Sequence, residues 1–352
     1  MSTLYDWYVS QRDQLNRQVW LELSLRVSHL DSLVNSEAFT RANQTLSGVY
    51  GAIQHYEAPG WRVFVQLMEG SLVLISDGDL NRALDIGIQA LTTAESLTDA
   101  HSLALRLGAR LLVLRCWLKV DEVGYAKDVL TVVDDVLDKH DLGSWSYWFW
   151  ANKAWALWSL QRYAEADLIL TKMLGALPSW TRPADLYEGR AYIAYRMRRQ
   201  TDSARLYTHA SLAFEEAGLR YGATRCLLNR ALCLHELGEH AHALITLADA
   251  LPRARDLANP HYLALAHCFR GRCELALKRY EQAAEELSTS LRLYEGRGWL
   301  RDEAVIALER LEALDGLGRG AGWDEAVTYA KARVALLRSC DLQPRLSALI
   351  GE

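Results

Sequence analysis

Along most of the chain, apolar residues return at steps of three and four, and no strand-length run alternates apolar with polar, so the pattern predicts helices throughout. Polar or glycine-bearing turns cut that pattern into pairs. Trp61 to Ile75 joins Leu80 to Leu97 across SDGD, His101 to Lys119 precedes Glu122 to Lys139, and a tryptophan-rich pair fills Ser144 to Pro178. The segment LPSWTRPAD follows, with prolines that punctuate helices rather than interrupt them. Beyond it stand Leu186 to Arg198 with Asp202 to Glu216, Tyr221 to Leu237 with His240 to Leu257, and His261 to Leu277 with Tyr280 to Tyr294. The last pair is Asp302 to Leu314 with Trp323 to Leu337, separated by GLGRGAG. Residues 1–33 supply an N-terminal helix or cap plus the first helix of an opening pair, Glu37 to His55 completes that pair, and 338–352 are expected to form a C-terminal tail.

The second helices share a register. Ala42, Ala83, Ala126, Ala166, Ala204, Ala243, Ala283 and Ala326 follow one another at 41, 43, 40, 38, 39, 40 and 43 residues. Three residues before each comes Phe39, Leu80, Val123, Tyr163, Thr201, His240, Tyr280 or Trp323, mostly a bulky group able to wedge between neighbours. Four residues after each, one helical turn on and facing the same partner, comes Leu46, Gly87, Leu130, Leu170, Thr208, Leu247, Leu287 or Ala330. One repeated helix pair therefore accounts for nearly the whole chain, and residues 1–352 are expected to form a single all-α domain of about eight antiparallel pairs. Gly238 sits where a helix end calls for a left-handed residue.

Trp150, Ala154, Leu157, Ala166, Leu170 and Pro178 carry part of the pattern W-x2-L-G-x2-Y, A-x3-F, A and P, and so do Leu227, Ala231, Leu234, Gly238, Ala243, Leu247 and Ala250. Gly271, Tyr280, Ala283 and Leu287 repeat it. On these residues the chain resembles a tetratricopeptide-repeat (TPR) protein of a long-repeat variety. The units exceed the family's 34 residues, and Lys153 and Arg230 stand where leucine is usual. Longer units are similar to those of sensor domains in signal-transduction ATPases and some bacterial regulators. The resemblance implies a right-handed α-solenoid whose first helices line a concave groove, with function in the groove side chains.

Composition adds limits. Half the residues are apolar and 24% are charged, enough for a core, and the formal net charge of -5 gives no global reason to expect nucleic acid. Cys116, Cys226, Cys233, Cys268, Cys273 and Cys340 include no C-x-x-C pair and sit mostly at apolar helix positions, as small hydrophobes in a reducing compartment do. The N-terminus lacks the basic start and apolar run of a signal peptide, and no segment reaches membrane-span length, so the expected location is cytoplasmic with no membrane partner.

No phosphate-binding loop, serine elbow or paired-carboxylate arrangement points to an enzyme, and no cofactor or metal is expected. His235, His240, His242 and Cys233 suggest a metal set, yet they fall on two helices and are expected to point apart, which makes packing or surface roles the better reading. The register turns Trp148, Trp155 and Trp158 toward the groove, whereas Trp150 is expected in the core. Arg190, Arg196, Arg225, Asn229 and Arg272 are expected on the same channel, with Arg115 and Lys119 extending it. Guanidinium forks beside aromatic surface suit a peptide or protein segment that is acidic or carboxylate-bearing. The expectation is thus a non-catalytic scaffold or adaptor. A small-ligand-sensing module that signals by bending is the alternative, and self-association through terminal repeats, hinted at by Tyr5, Trp7 and Tyr8, is a further possibility.

Overall fold

The computed structural model describes residues 39–56, 58–74, 79–97, 102–117, 146–176, 183–337 and 341–351, together with separate positions within 23–34 and 126–134. Among the described residues every regular element is helical: α1 Phe39–His55, α2 Pro59–Leu72, α3 Leu80–Glu95, α4 Ser102–Trp117, α5 Ser146–Ser159, α6 Tyr163–Gly175, α7 Pro183–Arg196, α8 Gln200–Glu216, α9 Arg220–Glu236, α10 His240–Asp256, α11 Pro260–Ala276, α12 Tyr280–Tyr294, α13 Leu300–Gly316, α14 Trp323–Ala335 and α15 Gln343–Ile350. The last of these lies in the stretch expected to be a tail. Arg345 ties it to Glu312 of α13 at 2.8 and 3.0 Å, an anchor that the weak pattern of 338–352 did not announce. The chain forms two compact units, with the boundary between Ile169 and Leu170 inside α6.

In the first unit α1 packs on α2, α2 on α3, and α4 on both α2 and α3. Asp79 caps α3 by accepting the Arg82 backbone N–H at 3.0 Å, and Pro59 opens α2 at a position where its missing N–H costs nothing. In the second unit each helix packs on the next from α7 to α15, and the alternate pairs α9 with α11, α11 with α13 and α13 with α15 also touch. First helices thus stack on first helices. Asn259 caps α11 from the Tyr262 N–H at 2.8 Å, directly ahead of Pro260.

The alanine register is what lets the pairs close. All eight alanines of the second helices are buried, and Leu247 and Leu287, one turn on, are buried with them, each contributing roughly 1.5–3 kcal/mol by leaving water. On the first helices the equivalent close approach falls at Ala154, Ala191, Ala231 and Gly271, all buried. A Cβ at Gly271 would stand 2.7 Å from Leu287 Cγ, so only glycine fits there. Buried serines satisfy backbone across the same seam: Ser203 donates to the Ala191 carbonyl at 2.7 Å and Ser290 to that of Ala264 at 2.8 Å. Phe214, Tyr207, Cys226 and Cys233 fill the core between α7, α8 and α9.

Turns between the two helices of a pair end in a left-handed residue. Gly238 takes this place at φ 80°, as its sequence position predicts, but Gln161, Arg198 and Lys278 take it too, at φ 62°, 60° and 59°. The described cysteines Cys116, Cys226, Cys233, Cys268 and Cys273 are buried and outside any disulfide. No described helix is long and apolar enough to cross a membrane.

Candidate functional site

On α9, Arg225, Asn229, Leu232 and Glu236 succeed one another at steps of four, three and four, which makes one stripe. Its C-terminal half opens into a cleft of about 510 Å³ lined by Leu232, His235 and Glu236 of α9, Arg272, Leu275 and Ala276 of α11, Glu309 and Glu312 of α13, and Arg345 of α15. The apolar floor comes from Leu232, Leu275 and Ala276, and every other lining group is ionisable.

Those charges are largely paired with one another. Arg272 Nε donates to both Glu309 oxygens at 2.9 and 3.0 Å, and Arg345 grips Glu312. Glu236 accepts the Tyr195 hydroxyl and the Gln200 amide, the latter at 3.2 Å. Further along the stripe Arg225 holds Glu188 of α7 through two nitrogens and donates to the Tyr262 hydroxyl at 3.2 Å. Burial works against both guanidinium charges, and the facing carboxylates more than compensate, so both arginines stay above their ordinary value. His235 goes the other way: burial, with His240 and Arg272 adding, pushes it down to about 4 against the pull of Glu236, and it is neutral at pH 7.

Of the residues expected on the groove, Arg272 lines this cleft. Arg225 and Asn229 stand on the same α9 stripe, nearer the helix start. Arg190 is half-buried and Arg196 exposed, and neither is among the lining residues. Trp155 and Trp158 belong to the first unit, half-buried, with ring centroids 5.5 Å apart and planes tilted by 42°. The side chains of Trp148 and Arg115, and Lys119 altogether, lie outside the described residues. Trp150 is a correction. It is 38% exposed rather than core, because the buried stripe of its helix is carried by Ala154 and Leu157, and the Lys153 ammonium covers the indole at 5.1 Å. A second correction concerns the histidines: His235 and His240, expected to point apart, have ring centroids 5.0 Å apart, because the tight turn at Gly238 folds the start of α10 back on the end of α9.

Of the cleft residues only Arg272 was expected on the groove; the apolar floor, His235, Glu236, Glu309, Glu312 and Arg345 were not foreseen. Register alone would have found Glu312, since Trp155, Tyr192, Leu232 and Arg272 each follow the close-approach residue of their helix by one, and Glu312 follows the buried Leu311 at the matching place forty residues past Gly271. Arg345 carried no such signal.

No protein-family model matches the sequence. No curated protein matches it either. Among solved structures the chain is similar to Rap protein complexed with Competence and Sporulation Factor, with TM-score 0.61, 16% identity, and coverage of 82% of this chain and 80% of that one. It is similar to NprR in complex with its cognate peptide NprX, with TM-score 0.54, 16% identity and 78% of each chain covered. A signal-transduction ATPase with a tetratricopeptide-repeat sensor from Pyrococcus horikoshii matches with TM-score 0.53 and 13% identity, over 96% of this chain and 56% of that one. The fold is tetratricopeptide-repeat-like. At these identities the likeness is one of fold, and it accounts for what the TPR-like register does here: small residues bring helix pairs together and leave the outward slots of the first helices free to vary.

Proposed function

We propose that this chain is a non-catalytic regulatory adaptor whose second unit takes up a peptide in the cleft of α9, α11, α13 and α15. The observation that carries the reading is the cleft itself: an open trough with an apolar floor at Leu232, Leu275 and Ala276, bordered by ionisable groups from four helices. Two proteins of similar fold lend support, since Rap was solved with the Competence and Sporulation Factor and NprR with its cognate peptide. The thiol beside His235, Cys273, is buried and pushed up to about 12, the opposite of an activated nucleophile, which suits a binding role.

The charge arrangement refines the expected ligand. A carboxylate entering the cleft competes with Glu309 for Arg272 or with Glu312 for Arg345, and success leaves a carboxylate unpaired. A peptide N–H or an ammonium group instead adds to carboxylate oxygens that already line the trough. The reading is therefore an apolar peptide bearing at least one cationic group. A random peptide library displayed against the full chain tests it, beside a Leu232→Glu, Leu275→Glu variant shown by circular dichroism to stay folded. Enrichment of apolar and basic sequences on wild type, lost on the variant, is expected. Enriched acidic sequences would reverse the charge reading, and equal enrichment on both proteins would remove the cleft.

One observation favours a second reading. The half-buried Trp155–Trp158 pair offers stacking surface for a small aromatic ligand, the feature a sensing module requires. Saturable quenching of tryptophan fluorescence by such a ligand, absent in Trp155→Leu, is its signature.

A further inference from the structure

We propose that His235, His240 and Cys273 form a binding site for a borderline-soft metal ion, with zinc as the reference case. The three come from the last turn of α9, the first residue of α10 and the last turn of α11, and their ligand atoms all lie within 4.8 Å of one another. Cys273 Sγ is 3.7 Å from His235 Nδ1. A tetrahedral zinc ion with nitrogen and sulfur ligands at their usual lengths sets neighbouring ligand atoms about 3.4–3.6 Å apart, so rotamer adjustments of about an ångström complete the set. Thiolate with imidazole is also the donor combination that selects zinc over the hard cations, which prefer carboxylate and carbonyl oxygens.

Two further observations single this trio out from ordinary packing. His240 occupies the wedge slot that Tyr163, Tyr280 and Trp323 fill in other repeats, and its Nδ1 is buried with no hydrogen-bond partner among the described residues. A buried polar nitrogen without a partner calls for one, and a metal ion is a partner that the surrounding groups can help hold. The backbone is also fixed on both sides. The Glu239 N–H reaches the Leu234 carbonyl at 2.9 Å and the Gly238 N–H reaches that of His235 at the same distance, so the two histidines are joined by a closed turn rather than a loose loop.

The protonation states follow from the surroundings. His235 is already neutral and presents a lone pair, whereas burial holds Cys273 as a thiol. Binding therefore forms one sulfur–metal bond and two nitrogen–metal bonds while the Cys273 proton leaves to solvent, as metal ligation of a thiol requires. Glu236 and Glu274 contribute negative charge nearby, and Arg272, which opposes a cation, is itself held by Glu309. Three protein ligands leave a fourth position, and because His235 also lines the cleft, that position is filled by water or by a group of the cleft's occupant.

The experiment uses the full chain, reduced with a phosphine and freed of metal, titrated with zinc against a chromophoric chelator and separately with cobalt(II). One zinc ion per chain is expected, with a cobalt spectrum showing thiolate charge transfer and tetrahedral d–d bands. His240→Gln and Cys273→Ser should each weaken zinc binding by about a hundredfold or more, beyond what loss of a supporting contact costs, and Cys273→Ser should abolish the charge-transfer band. Cys268→Ala, which removes another buried thiol of α11, should leave both readouts unchanged. If Cys273→Ser fails to fold, the half-buried His240→Gln decides alone. No saturable uptake by wild type, or uptake that both substitutions leave intact, overturns the site. Neither readout depends on a peptide, so the result stands apart from the adaptor reading.

Discussion

The first helix of the tryptophan-rich repeat, α5, and the corresponding helix α11 use one backbone plan with opposite chemistry. In α5, Ala154 makes the close approach and Trp155 and Trp158 follow at one and four residues, forming an aromatic pair worth about 0.5–1.5 kcal/mol beyond burial. In α11, Gly271 makes the approach and Arg272 and Leu275 follow at the same steps, one locked to Glu309 and the other on the cleft floor. The anchor positions thus specify the fold while the slots beside them are free to specify a ligand. The two helices also separate two kinds of energy. An aromatic slot stabilises by itself, whereas a partly buried ion pair contributes little net and is costly to break.

That contrast can be broken at its strongest point. Arg272→Ala should destabilise the second unit by about 3 kcal/mol, because Glu309 is left buried and unpaired, whereas Arg272→Met with Glu309→Leu should be nearly neutral; denaturant titration of both variants checks it. Next in size, Gly271→Ala should cost about 1–3 kcal/mol as its Cβ is driven into Leu287, and Gly271→Ala with Leu287→Ala should not recover it, since the second change opens a cavity elsewhere on the side chain. In the first unit Trp150→Ala should cost only about 1 kcal/mol, since the indole is partly exposed and loses mainly its contact with Lys153. Smallest, and of opposite sign, Lys278→Gly should stabilise by roughly 0.5 kcal/mol, as relief of a left-handed backbone outweighs the added freedom of the unfolded chain. A thermal melt resolves that shift.

The repeat was legible because its determinants are local. Buried alanines at a near-constant spacing and wedges three residues earlier state the helix pairing directly, and the structure buries every one of those alanines. Trp150 was misjudged because helical spacing tells which face a residue lies on, not how far along that face burial extends. The cleft was only partly legible for a related reason. Its ion pair of Arg272 with Glu309, like that of Arg225 with Glu188 further along the α9 stripe, joins residues of successive first helices, and a positive side chain in a linear sequence gives no sign that its neighbour in space is already negative. The histidine pair was hidden by a turn: four residues separate His235 from His240, and only the left-handed step at Gly238 returns one ring to the other.

The most direct test of the central claim is calorimetric titration of one library-enriched peptide into wild type, an Arg272→Met, Glu309→Leu variant and a Trp155→Leu, Trp158→Leu variant, each first shown to fold. The cleft variant should lose at least about tenfold in affinity, or 1.4 kcal/mol, while the tryptophan variant should bind as wild type does. Unchanged binding by the cleft variant together with loss in the tryptophan variant would contradict that claim and assign the ligand to the first unit.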